Sequence, residues 1–129
     1  ERGAFHVSAN QHGPSTGKTM GSAAGVAAGV VGAACEDVDR AARAIIEAAG
    51  FGEYFVHRTG HGIGMEAHEE PYMVSGNSLP ISAGHAFSVE PGIYIPGKWG
   101  MRLEDIVVAT ETGPMPMNKV NHSLVTVEA

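Results

Sequence analysis

The sequence predicts an α+β fold. Three observations carry this: an amphipathic run of helical period between Glu36 and Ala49, a change after Gly52 to short apolar and β-branched runs broken by Gly and Pro, and the absence of any repeat or linker that would divide the chain.

Residues 1–20 show neither a helical nor a strand period and stay unassigned, and 21–129 form the body of one domain. From Met20 to Val31 small residues dominate, which suits a Gly/Ala-rich helix packed closely on a neighbour, although each internal Gly costs roughly 1 kcal/mol. From Glu36 to Ala49 the apolar positions Val38, Ala42, Ile45 and Ala49 share one face. Acidic residues occupy the first turn of that segment, and Gly50 is placed to end it. Ala86 to Ile95 reads as two strand pieces around Pro91-Gly92. Met101 to Thr110 reads as one strand followed by a turn at Thr112-Gly113-Pro114, and Leu124 to Val127 as a last short strand.

The chain has 129 residues, 43% of them hydrophobic, enough for a single globular core. A net charge of -6 without any Lys/Arg cluster excludes a nucleic-acid partner. The apolar-looking run from Gly21 to Cys35 is too short and too poor in large side chains to span a membrane, so a soluble protein with no membrane partner is expected. One cysteine, Cys35, allows no internal disulfide, which fits a reducing, cytoplasmic setting.

Two motifs mislead. Gly13-Pro14-Ser15-Thr16-Gly17-Lys18-Thr19 has one residue too few between its glycines for a phosphate loop, and no apolar strand precedes it. His57 and His61 have the spacing of zinc-peptidase ligands on a helix, but glycines surround them and no Glu follows His57.

What remains is a set of nitrogen and oxygen donors. His61 lies among Gly60, Gly62 and Gly64, whose small size and freedom of φ let backbone pass close to a ligand. Glu90 ends the apolar run Ala86-Phe87-Ser88-Val89, just before the bend at Pro91-Gly92. Arg102-Leu103-Glu104-Asp105 places charge in an otherwise buried-looking strand, and burial of charge demands a partner or a metal. Alternation along that strand would put Arg102 and Glu104 on one face, where the arginine could orient carboxylates. Each residue has an ordinary structural reading as well: a hydrogen-bonded histidine, a strand-end glutamate, a surface ion pair. Their order decides between the readings.

The stretches HRTGHGIGMEAHEEP (His57 to Pro71), SAGHAFSVEPGIY (Ser82 to Tyr94) and GMRLEDIV (Gly100 to Val107) resemble, in that order, the Xaa-Pro dipeptidase (prolidase) and Xaa-Pro aminopeptidase family of metallopeptidases. The helical segment EDVDRAARAIIEAAGFGEYF (Glu36 to Phe55) is similar to the one before the histidine motif in those enzymes, and the resemblance runs from about Ala27 to Gly113. It implies the pita-bread fold, an α+β architecture of two similar halves around a pair of divalent ions, commonly manganese, cobalt or zinc. By motif, His61, Glu90 and Glu104 correspond to metal ligands, His57 and His68 to histidines contacting substrate or intermediate, Arg102 to the arginine behind the ligands, and Glu90 also to the proton shuttle. The implied substrate is a short peptide with proline in second position.

The chain departs from the family in its aspartates. The family draws two further ligands from a hairpin that precedes the helix, and this chain has only Asp37, Asp39 and Asp105, none placed to replace them. Val31 and His85 stand where the family usually has proline and methionine. The resemblance therefore implies a partial, C-terminal half of a catalytic domain that holds at most one ion, is weakly active or inactive alone, and associates with another copy or with a missing N-terminal half. The alternative is a non-catalytic binding module on the same fold.

Overall fold

A computed structural model describes the backbone of residues 14–119 and 121–122, with side chains from residue 21. The expected strand at Leu124 to Val127 lies outside the described residues.

Helix α1 spans Pro14–Ala28 and α2 Cys35–Ala48. Helix α1 begins ahead of Met20 and stops short of Val31. Pro14 occupies its first position, where a fixed φ suits the helix and the missing N–H has no intrahelical partner to lose. The small residues of α1 serve close packing. A methyl group on Gly25 would stand 2.8 Å from Cγ1 of Val89 and 3.5 Å from Cβ of Ala42, so the glycine lets α1 settle between α2 and the sheet.

In α2 the Asp37 carboxylate accepts the Ala34 N–H at 3.0 Å, tying down the first turn. At the other end Gly50 adopts φ +83°. Its N–H donates to the Glu47 carbonyl and the Phe51 N–H to the Ile46 carbonyl, at 2.9 and 3.0 Å, which closes the helix in a Schellman motif. The buried stripe is Cys35, Val38, Asp39, Ala42 and Ile46. Ile45 and Ala49, expected on that face, are only half-buried, because Ile46 points to the second core cluster with Phe55 and Ile93.

Among the described residues, a 3-10 turn, Gly52–Tyr54, leads into seven strands. They are β1 Gly60–Gly62, β2 Glu69–Met73, β3 Ala86–Val89, β4 Gly92–Ile95, β5 Trp99–Arg102, β6 Asp105–Thr110 and β7 Gly113–Pro116. Five form an antiparallel sheet in the order β2-β1-β3-β6-β7, and β4 and β5 form a separate two-stranded ribbon. Both edges of the larger sheet carry proline, Pro71 in β2 and Pro114 with Pro116 in β7, which removes donors from edge strands. The main core lies between the helices and this sheet and includes Cys35, Val38, Phe87, Val89, Val107 and Ala109.

The bend at Pro91-Gly92 does more than divide a strand. Val89 still pairs with Asp105 of β6, whereas Gly92 already pairs with Arg102 of β5, so Glu90 and Pro91 cross from one sheet to the other. The single strand expected from Met101 to Thr110 is overturned for the same reason. β5 ends at Arg102, β6 begins at Asp105, and Leu103-Glu104 belongs to neither. Alternation does not carry across two sheets, so the shared strand face expected for Arg102 and Glu104 does not exist.

Inside β6 the alternation is regular, with Asp105, Val107 and Ala109 turned inward. Asp105 is buried with partners. Ser22 Oγ on α1 donates to its Oδ2 at 2.8 Å, and His122 Nε2 lies 3.0 Å from its Oδ1. Among the described residues, no helix is long and apolar enough to cross a membrane.

Candidate active site

His61 is held between two strands at very short range. A methyl group on Gly60 would be 1.8 Å from the Ser88 carbonyl oxygen, and one on Gly62 would be 2.2 Å from that of Glu70. Neither these glycines nor Gly64 has a positive φ. Their smallness therefore admits β3 and β2 rather than a ligand, and the close approach fixes where the His61 side chain emerges.

The His61 ring is nearly buried, and its Nδ1 lies 2.9 Å from the carbonyl oxygen of Gly62. A carbonyl only accepts, so Nδ1 carries the hydrogen, and in the neutral ring Nε2 is left with its lone pair. That Nε2 faces Glu90 Oε1 at 3.0 Å. Two electron pairs so placed are compatible only with a proton or a cation between them.

Glu90 is buried at the crossover, and its backbone N–H donates to the Thr59 carbonyl at 2.7 Å. Ser88 Oγ donates to Glu90 Oε1 at 2.9 Å and accepts the His61 N–H at 3.0 Å. Arg102 Nη1 donates to the other oxygen, Oε2, at 2.7 Å, and Arg102 Nε donates to the Tyr94 hydroxyl at 2.9 Å. One guanidinium thus joins the crossover carboxylate to the β4–β5 ribbon.

His57 lies beyond Tyr94. Its Nδ1 is 2.7 Å from the Arg58 carbonyl and donates to it, and its Nε2 is buried without a hydrogen-bond partner among the described residues. A methyl group on Gly92 would come within 2.8 Å of both His57 Nε2 and the Tyr94 hydroxyl, so glycine here keeps a small polar recess open. Burial holds the His57 imidazole below its ordinary pKa. The Arg102 and Arg43 charges push the same way, against the Arg58 carbonyl and Glu90. The ring is thereby kept as a neutral acceptor.

His68 sits on the exposed loop before β2, its ring edge-on to His61 with centroids 4.5 Å apart. The Glu69 carboxylate anchors that loop by accepting the N–H groups of Met65 and Glu66, both at 2.9 Å.

The structure thus brings His57, His61, His68, Glu90 and Arg102 into one continuous arc. It does not bring Glu104 to the His61–Glu90 pair. Glu104 is exposed on the link between β5 and β6, and among the described residues no three His, Cys, Asp or Glu side chains are grouped as a metal would require.

Several residues of this arc escape sequence reasoning. Tyr94 and Ser88 looked like ordinary strand residues. Asp39 and Arg43 carry no candidate role in the sequence, yet Asp39 is buried and accepts the Arg43 guanidinium at 2.9 and 3.1 Å. It also accepts Thr59 N–H and Thr59 Oγ1 at 3.0 and 2.8 Å. The available signal was an acidic residue on the apolar stripe of α2, one position after Val38.

Comparison with known proteins assigns this arrangement of side chains to a family. The sequence profile of Metallopeptidase family M24 matches residues 20–111, and the chain belongs to that family. It is 57% identical over 96 residues to a probable dipeptidase PepE of Mycobacterium tuberculosis, covering 74% of this chain and 26% of that protein. It is 50% identical over 93 residues to an Xaa-Pro dipeptidase of Lactobacillus delbrueckii subsp. lactis, covering 72% of this chain and 25% of that one. The crystal structure of dipeptidase PepE from Mycobacterium ulcerans superposes with a TM-score of 0.87 at 50% identity, over 95% of this chain and 32% of that one. The prolidase from Pyrococcus furiosus superposes with a TM-score of 0.83 at 34% identity, over 89% and 35%. The fold is therefore that of the pita-bread peptidases, in part: the chain spans about a quarter of the length of the relatives it matches.

Membership of a metallopeptidase family implies divalent metal ions. The donor chemistry fits such an ion: imidazole Nε2 of His61 and a buried carboxylate oxygen of Glu90 face each other at 3.0 Å, where a cation could take the place of the shared proton.

Proposed function

We propose that this chain carries the His61–Glu90 half of a metal-dependent site that hydrolyses Xaa-Pro peptides, as a proline dipeptidase or Xaa-Pro aminopeptidase. One observation carries the reading: His61 Nε2 and Glu90 Oε1 converge to 3.0 Å, close enough to share a proton or a cation. Manganese, cobalt or zinc suits imidazole and carboxylate donors. His61, Glu90 and Glu104 would hold the ion, Glu104 entering from the β5–β6 link. A divalent ion so held would make a bound water acidic and polarise a carbonyl oxygen.

The chain's own residues do the rest. Arg102 holds Glu90 by Oε2 and leaves Oε1 toward His61, where this carboxylate can take up and return a proton. His57 offers a desolvated, neutral Nε2 to a peptide N–H in the recess over Gly92. His68, exposed beside His61, is placed to donate to the oxygen of the peptide carbonyl as charge develops there. Substrate enters as a short peptide with proline second. A free buried thiol at Cys35 supports a cytoplasmic setting.

Two or three donors hold one ion weakly, so the 129-residue chain by itself should turn over little. Remaining donors would come from a companion segment of the fold. A second copy, though a possible associate, would only repeat the same residues. The test is calorimetry with manganese, followed by an assay on a dipeptide with C-terminal proline beside Glu90→Gln. One weak site, abolished by the substitution, is the expected result. Manganese binding unchanged in Glu90→Gln would overturn the assignment. Peptide binding without any metal dependence would favour the non-catalytic module.

A further inference from the structure

We infer that Ser88 is a positioning residue that sets the distance between His61 and Glu90, an inference that rests on the proposed metal-binding role of that pair. Ser88 and Glu90 are two apart and turn to one side of the chain, and β1 lies directly against that side: a methyl group on Gly60 would be 3.2 Å from Ser88 Oγ. The Ser88 side chain is fully buried at the centre of an otherwise apolar strand, where a hydroxyl is costly unless both its roles are used. Both are used, on the two residues in question. The hydroxyl accepts the His61 N–H at 3.0 Å and gives its hydrogen to Glu90 Oε1 at 2.9 Å.

That oxygen is also the one facing His61 Nε2. Ser88 therefore grips one partner by its backbone and the other by its reactive oxygen, while Arg102 takes only the far oxygen, Oε2. With Arg102 alone, the carboxylate could turn about that single anchor and carry Oε1 away from the imidazole. Ser88 removes this freedom. Its action on any ion is indirect, through the two side chains it holds.

The experiment uses the 129-residue chain labelled with ¹⁵N, as parent, Ser88→Ala and Ser88→Thr. In metal-free protein the His61 amide and ring nitrogen resonances are compared, and manganese is then titrated and followed by broadening at His61 and Glu90. Ser88→Ala should shift the His61 ring and amide signals with little change in melting temperature, and weaken manganese binding about tenfold, the usual lower range for residues behind metal ligands. Ser88→Thr keeps the hydroxyl and should restore both. If alanine prevents folding or the threonine methyl cannot be seated beside Gly60, Ser88→Cys, with a weaker donor of similar shape, should give intermediate values. Parent-like ring signals and affinity in a folded Ser88→Ala protein would overturn the inference, as would a folded Ser88→Thr that behaves like alanine. If the parent shows no manganese broadening at all, the metal reading fails separately, and the metal-free His61 ring signal alone decides the role of Ser88.

Discussion

Arg43 and Asp39, one turn apart on α2, form a forked pair whose influence extends beyond the helix. With Asp39 held at 2.9 and 3.1 Å, the same guanidinium donates to the carbonyls of Phe55 and His57, both at 2.9 Å, and lies 4.1 Å over the Phe55 ring. Through Thr59, which both donates to Asp39 and accepts from the Glu90 N–H, the pair fastens α2 to the segment that presents His57 and His61.

Arg43→Ala should destabilise the chain by about 3 kcal/mol, since it leaves the buried Asp39 carboxylate without its charge partner. Asp39→Asn should cost less, because no unpaired buried anion remains and the amide oxygen still accepts from Thr59. Urea unfolding of both variants measures the order. An Arg43→Ala protein within experimental error of the parent would show that the pair carries no net stability.

Alanine substitutions at the glycines around His61 should rank by what their Cβ meets. At Gly60 it meets the Ser88 carbonyl at 1.8 Å, which only movement of a strand can relieve, and a loss of roughly 3 kcal/mol or more is expected. At Gly64 it meets the end of the Glu69 side chain at 2.1 Å, which can rotate aside at the cost of two loop hydrogen bonds. Thermal unfolding should therefore find Gly60→Ala far less stable than Gly64→Ala. The reverse order would mean that β1 does not lie against β3 as described.

His57 should titrate below the ordinary imidazole value of 6.5, chiefly because burial disfavours its charged form. The unfolded chain then binds a proton at higher pH than the folded one. Stability from this residue is fully present above the unfolded value and declines as pH falls toward the folded one. Histidine NMR gives the midpoint directly, and His57→Gln should flatten that part of the stability profile. A midpoint above 6.5 would contradict the buried environment.

Arg102→Lys should loosen Glu90 although it keeps the charge. A lysine ammonium lacks the planar fork that reaches Glu90 Oε2 and the Tyr94 hydroxyl together. Manganese affinity is expected to drop about tenfold, with a smaller change in Tyr94→Phe. Equal affinity in Arg102→Lys would reduce the role of the arginine to charge alone.

The sequence by itself determined whatever depends on near neighbours in the chain. Helix α2 and its end at Gly50 followed from a 3.6-residue period and a residue able to adopt positive φ, and the bend after Glu90 followed from Pro91-Gly92. His57, His61, His68, Glu90 and Arg102 were legible because each sits in a short motif whose order is distinctive. Tertiary structure decided which strands pair, and with that the geometry of the site. Nothing local reveals that Arg102 and Asp105 belong to different sheets, because a two-residue break looks like continuing strand until hydrogen-bond partners are known. The glycines around His61 show the same limit: sequence marked them as places of close approach, but whether a ligand or strands β2 and β3 came close to Gly62 and Gly60 depended on Glu70 and Ser88, farther along the chain. Ser88 and Asp39 acquired partners 27 and 20 residues away for the same reason, since a buried polar group is satisfied by whatever the fold brings to it.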